Sequence, residues 1–148
     1  RAGEIFDLTW GCIDFNNGSI AVMDTKAKNR VIYMTQEVKD MLASKTPGKP
    51  TDLVFTNRNS EKVYEISNAF SRAVKELKFN EGIEDRRLRV YFHTLRHTFA
   101  SWLVQNGVDL YTVKSLLGHS TMAMTERYSH LSSGAFKSAV KVMDGFIK

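Results

Sequence analysis

Cysteine occurs once, at Cys12, so the chain cannot close a disulfide within itself. A lone thiol suits the reducing cytoplasm, where the protein is expected to reside. Proline occurs twice, at Pro47 and Pro50, both in the "TPGKP" stretch at 46 to 50. That confines strong chain breaking to one place and excludes a proline-rich linker. Histidine occurs four times, and all four lie within "HTLRHT" at 93 to 98 and "LLGHSTMAMTERYSHL" at 116 to 131. There is no long apolar run, so the sequence predicts neither a membrane span nor a signal peptide. Internal repeats and low-complexity segments are absent as well.

What is present suits one globular domain over residues 1–148: 43% of residues are hydrophobic, enough for a sizeable core. The net charge is +5 and the pI about 9.4, which permits a polyanionic partner such as nucleic acid. "KAKNR" at 26 to 30 and "RRLR" at 86 to 89 are the densest positive runs. Lys28, Arg30, Arg87 and Arg89 are therefore candidate DNA-binding cations, although each run also suits a solvated loop.

Periodicity predicts an α+β domain, mainly α, with a small antiparallel sheet near the N-terminus. Residues 1 to 8 read as the end of a helix that began upstream, with Ile5 and Leu8 on one face. Residues 10 to 34 read as β, with a hairpin at Asn17-Gly18 and a further strand at 30 to 34. Thr35 caps a helix from 36 to about 44, with Val38, Met41 and Leu42 inward. "LVF" at 53 to 55 reads as a short buried segment. Residues 65 to 78 form a helix with Ile66, Phe70, Val74 and Leu77 on one stripe. From residue 94 onward the pattern is helical. Leu95, Phe99, Trp102 and Leu103 form an apolar face, and Gly107 ends that helix. Asp109 caps the next, with Leu110, Val113, Leu116 and Leu117 inward, and Gly118 stops it. Ser120 or Thr121 caps a third helix that carries Tyr128. A last helix, within 132–148, has Phe136, Val140, Met143 and Ile147 on one side.

Three readings compete for the histidines. His93 and His97 are spaced as in the zinc-protease motif, but Thr94 stands where that motif needs a glutamate. Arg96 lies between them, and no acid occurs between 86 and 108, so a metal site is not predicted. A helix-turn-helix is the second reading: two helices meet at "NGVD", and Tyr111, Thr112, Lys114 and Ser115 could face a groove. As a DNA-binding module without catalysis this is the alternative function, but it leaves His119 and Tyr128 unexplained. The third reading takes the polar residues together. His93 and Arg96 share a face at a helix start, where the backbone already favours an anion. His119 follows a glycine at a helix end, and Tyr128 lies nine residues later. Two imidazoles, a guanidinium and a phenol suit a phosphodiester: arginine forks onto its oxygens, histidine moves protons and tyrosine can attack. On this reading His97 is structural, hydrogen-bonded beneath Arg96, and His130 has no assigned role.

"HTLRHTFAS", "LLGHS" and "TERYSHL" resemble the C-terminal motifs of the tyrosine recombinases, the phage-integrase family. "RAGEIFDLTWGCIDF" at 1 to 15 resembles the family's first box, and "TKAKNR" its β-hairpin with the catalytic lysine. The resemblance covers the whole chain in the family's order. It implies the tyrosine recombinase catalytic fold and site-specific DNA recombination or integration, as in mobile elements. The catalytic set it implies is Arg1, Lys26, His93, Arg96, His119 and the nucleophile Tyr128. Tyr128 would attack a backbone phosphorus, forming a 3′-phosphotyrosyl ester and releasing a 5′-hydroxyl. Arg1, Arg96 and His119 would stabilise the transition state, each preorganised donor contributing roughly 3–4 kcal/mol. Lys26 would protonate the leaving oxygen, and His93 would act as base or position the phenol. A free tyrosine, with a pKa of about 10, is only ~0.1% ionised at pH 7, so a base or a cationic surround is required. Neither a metal nor another cofactor is implied. The implied partners are double-stranded DNA and, in action, a homotetramer on two duplexes. The sequence begins at Arg1 itself, without the family's upstream DNA-binding domain. Arg1 is therefore expected to be frayed, and the isolated segment to be mostly monomeric and inactive.

Overall fold

The structure is a computed structural model that describes residues 1–23, 29–132, 134–144 and 146. Its chain divides into two compact units, Arg1–Val90 and Tyr91–Lys148. The single domain expected over 1–148 is therefore described here as two bodies.

The first unit opens with helix α1 (Ala2–Phe6). Three strands follow, β1 (Ile13–Asp14), β2 (Ser19–Val22) and β3 (Arg30–Tyr33). They form one antiparallel sheet in the order β1-β2-β3, with Ile13 opposite Ile20 and Ile20 opposite Ile32. The hairpin at Asn17-Gly18 is present. Its loop runs over residues 15–18, because the Asp14 carboxylate accepts the Asn16 and Asn17 amides at 2.9 Å each and Gly18 takes φ +62°. Residues 10–12 differ from the expectation: Trp10–Cys12 is a 3₁₀ turn, not strand. Its backbone is drawn away from the sheet, with Trp10 N donating to Asp52 O at 3.0 Å and Gly11 N to Pro50 O at 2.8 Å.

Helix α2 (Gln36–Ala43) starts at Thr35, whose hydroxyl accepts from Val38 N. Of the three residues expected inward, only Leu42 is buried; Val38 and Met41 are exposed. The short sheet has room for one side chain of this helix, and Leu42 takes it beside Ile20, Val22 and Val54. Val54 arrives on "LVF", held by its N–H to Leu8 O at 2.9 Å. Helix α3 (Asn68–Glu76) is shorter than the predicted 65–78 and has no buried residue; Ile66 and Leu77 flank it, exposed.

The second unit is helical: α4 (Thr94–Gln105), α5 (Leu110–Leu117), α6 (Ala123–Glu126) and α7 (Ala135–Asp144). Asp109 caps α5 as expected, accepting Thr112 N at 2.9 Å, and Gly118 ends it in the left-handed conformation, φ +62°. The core is Ala100, Val104, Val113, Leu117 and Tyr128. Of the expected apolar face of α4, Leu103 packs against the core, while Leu95, Phe99 and Trp102 are exposed. Small Ala100 and Val104 turn inward instead, where α5 approaches. The predicted third helix is brief. Tyr128 lies beyond its end, at the start of a 3₁₀ turn over Ser129–Leu131, and neither Ser120 nor Thr121 caps it. On α7, Val140 and Met143 are exposed, while Ile147 lies outside the described residues. No helix among the described residues is long and apolar enough to cross a membrane.

Candidate active site

The second unit gathers most of the predicted site. His93 is the N-terminal cap residue of α4, and Arg96 and His97 occupy its first turn. Residues 97, 100 and 104 recur at helical spacing, so His97 heads the buried stripe that continues as Ala100 and Val104. Tyr128 packs against that same stripe and is only 6% exposed. Its hydroxyl meets His97 Nδ1 at 2.5 Å, with the ring centroids 6.0 Å apart. His93 stands edge-to-face against His97, centroids 5.0 Å apart.

Burial pushes the Tyr128 phenol above its ordinary range, against the pull of Arg127 and Arg96. Burial likewise lowers the His97 imidazole, reinforced by His93, Arg127 and Arg96. Both groups are thereby held neutral at pH 7. Arg96 donates to the Leu117 carbonyl at the end of α5. His119 follows directly, and its Nδ1 meets the hydroxyl of Thr125 at 2.8 Å. Thr125 is fully buried. The Thr125 hydroxyl thus orients the His119 ring, and the Leu117 carbonyl orients Arg96.

Arg1 belongs to the first unit, where its Nη1 donates to Glu4 Oε1 at 3.2 Å. Arg30 grips the same carboxylate with both terminal nitrogens, at 3.2 and 2.8 Å. Burial alone would raise the Glu4 carboxyl; the Arg30 fork counters it and lowers it. Lys26 and Lys28 lie outside the described residues. Arg87 is 89% exposed and pairs with Asp85 at 2.7 Å. Arg89 Nε donates to the Ile83 carbonyl at 2.9 Å. On α5, Thr112 is taken up by Asp109, Ser115 by the Tyr111 carbonyl, and the Lys114 ammonium lies 5.7 Å from the Tyr111 ring.

Three residues of this arrangement were not singled out for it in the sequence. His97 was expected beneath Arg96 and instead touches Tyr128. The signal was its register with Ala100 and Val104, masked by the bulkier Leu95, Phe99 and Trp102. Glu4 is three residues from Arg1, a spacing that pairs opposite charges on a helix. Thr125 carries no local signal as a partner for His119.

These motifs and this fold define a class: the phage integrase family model matches residues 1–134, and the chain belongs to that family. Among curated relatives it is 31% identical to tyrosine recombinase XerD of Pseudomonas putida over 140 residues, covering 89% of this chain and 45% of that protein. It is also 31% identical to tyrosine recombinase XerA of Saccharolobus solfataricus, covering 88% of this chain and 41% of that one. The chain thus spans somewhat under half the length of these relatives. Among solved structures it is similar to the catalytic domain of bacteriophage HP1 integrase, at TM-score 0.67 and 32% identity, over 95% of this chain and 73% of that one.

Proposed function

We propose that the chain is the catalytic portion of a site-specific DNA recombinase that breaks and rejoins strands through Tyr128. The observation that carries this reading is the Tyr128 hydroxyl, held by an imidazole beside the cations Arg96 and Arg127, in a chain with the family's motifs in order. Tyr128 Oη bonds to a backbone phosphorus as the bond to the 5′ oxygen breaks, giving a 3′-phosphotyrosyl ester. His93 takes the phenolic proton, and Lys26 protonates the departing 5′ oxygen. Arg1, Arg96 and His119 stabilise the extra negative charge on the non-bridging oxygens. A second 5′-hydroxyl then attacks the ester and frees Tyr128. One phosphodiester replaces another, so no ATP is consumed.

The substrate is double-stranded DNA, and the working assembly is a homotetramer on two duplexes, in the cytoplasm. Lys28, Arg30, Arg87 and Arg89 are the proposed backbone contacts, with exposed Arg87 the most available. Arg30 and Arg89 would reach phosphate only with donors left over from Glu4 and the Ile83 carbonyl. The exposed Val140 and Met143 of α7 suit docking on a neighbouring protomer.

The test is covalent trapping. The full-length chain encoded by its gene is incubated with supercoiled plasmid carrying the flanking genomic region, in EDTA and without ATP, then quenched in SDS. Protein on DNA, lost in Tyr128→Phe with binding retained, is the expected result. Salt-sensitive binding with no adduct would instead favour the non-catalytic DNA-binding module.

A further inference from the structure

We propose that His97 is a positioning residue for the nucleophile: its Nδ1 accepts the hydrogen bond of the Tyr128 hydroxyl and fixes where that oxygen sits. The inference rests on the reading of Tyr128 as nucleophile. It adds a residue that the motif's histidine-x-x-arginine core does not contain.

The geometry carries it. His97 Nδ1 and Tyr128 Oη are 2.5 Å apart, across 31 residues of chain, so the bond is tertiary and not a by-product of helix spacing. Both partners are anchored. His97 heads the buried stripe of α4, and Tyr128 is packed among Ala100, Val104, Val113 and Leu117. A phenol pivots about its Cβ, and its oxygen sweeps a wide arc unless something holds the far end. Packing holds the ring, and His97 holds the oxygen.

Protonation narrows the direction of the bond without fixing the ring tautomer. The phenol keeps its proton and the imidazole stays neutral at pH 7, for the reasons given above. A neutral imidazole presents Nδ1 either bare or as N–H; we assign the bare form, in which Tyr128 donates, Nδ1 accepts and the His97 proton resides on Nε2. The same surroundings make His97 a poor destination for the proton. An imidazolium there would face His93, Arg96 and Arg127. His97 thus aims the hydroxyl, and proton removal is left to another group.

This separates His97 from a general base through a choice of amide. Asparagine places its Oδ1 where Nδ1 stands; glutamine extends its oxygen toward the Nε2 position. A group that only accepts a hydrogen bond through Nδ1 is replaced by asparagine and not by glutamine. A base is replaced by neither.

The full-length chain, native and with His97→Asn, His97→Gln and His97→Leu, is labelled with tyrosine carrying ¹³C at Cζ. The Tyr128 resonance is identified by its loss in Tyr128→Phe. Adduct formation is followed in parallel on the supercoiled plasmid described above. His97→Leu and His97→Gln are expected to shift the Tyr128 resonance and slow adduct formation on the order of 10²-fold, with DNA affinity unchanged; His97→Asn should keep the native resonance and a rate within about tenfold. Equal slowing by asparagine and glutamine, or an unshifted Tyr128 resonance in His97→Leu, overturns the proposal. If His97→Leu does not fold, the asparagine–glutamine pair decides alone. If native protein forms no adduct, the recombinase reading fails, while the resonance still decides whether His97 holds the Tyr128 hydroxyl.

Discussion

The two units hold their basic side chains with different kinds of partner. In the first, Arg30 and Arg1 close on the Glu4 carboxylate, and Lys62 pairs with Asp7. In the second, Arg96 is held by a backbone carbonyl, His119 by a hydroxyl and His97 by a phenol. A carboxylate cancels the charge it binds; a carbonyl or hydroxyl orients a cation and leaves its charge in place. The described partner of Arg96 is thus neutral, while in the first unit the Arg30 fork on Glu4 ties β3 to α1.

Exchanging the two arginines for glutamine breaks this comparison most sharply. Arg96→Gln is expected to slow adduct formation about 10²–10³-fold, the usual cost of one preorganised donor, with little change in melting temperature. Arg30→Gln should act chiefly on stability, because it strands the part-buried Glu4. A melt and a trapping assay on both variants check this. If Arg96→Gln instead unfolds the protein with no specific loss of rate, the distinction collapses.

The cores come next. Leu42→Ala in the first unit and Leu117→Ala in the second each remove a side chain at most 2% exposed, and each is expected to cost about 2–5 kcal/mol. Amide hydrogen exchange should report the largest loss of protection in the unit that carries the substitution. Equal losses in both units from either change would erase the boundary at Val90.

Acid sharpens the contrast. The Arg30 fork lowers the Glu4 carboxyl, so its contribution is complete above the ordinary glutamate range and is lost as pH falls through the lowered value. Denaturant melts between about pH 5 and pH 2 should show that loss. Glu4→Gln should flatten that dependence. The smallest expected effect is common to both units: Gly18→Ala and Gly118→Ala each place a Cβ at φ +62°, at a cost of about 1 kcal/mol by thermal melting.

Much of this was legible in the sequence because it is local. The Asp109 and Thr35 caps, the Gly118 stop and the Asn17-Gly18 turn depend on residues within four positions of each other. The residue types of the proposed site were read from the same motifs, since a phosphodiester suits arginine, histidine and tyrosine whatever the fold. What failed was the choice of buried face. On α4 the bulkiest apolar residues, Leu95, Phe99 and Trp102, suggested one side. The structure buries the side bearing Ala100 and Val104, because close approach of α5 favours small side chains. On α2, Val38 and Met41 have the right period but find no space beside the sheet.

By itself, then, the amino-acid sequence determined the fold class, the order of the family's motifs and the groups able to attack and stabilise a phosphate. Those follow from side-chain chemistry and from periodicities of two to four residues. Only the tertiary structure decided that His97 meets the Tyr128 hydroxyl, that Thr125 meets His119, and that Arg30 crosses 26 positions to Glu4. Such pairings depend on where packed backbones place two side chains to within an ångström, and no local spacing in the chain encodes that distance.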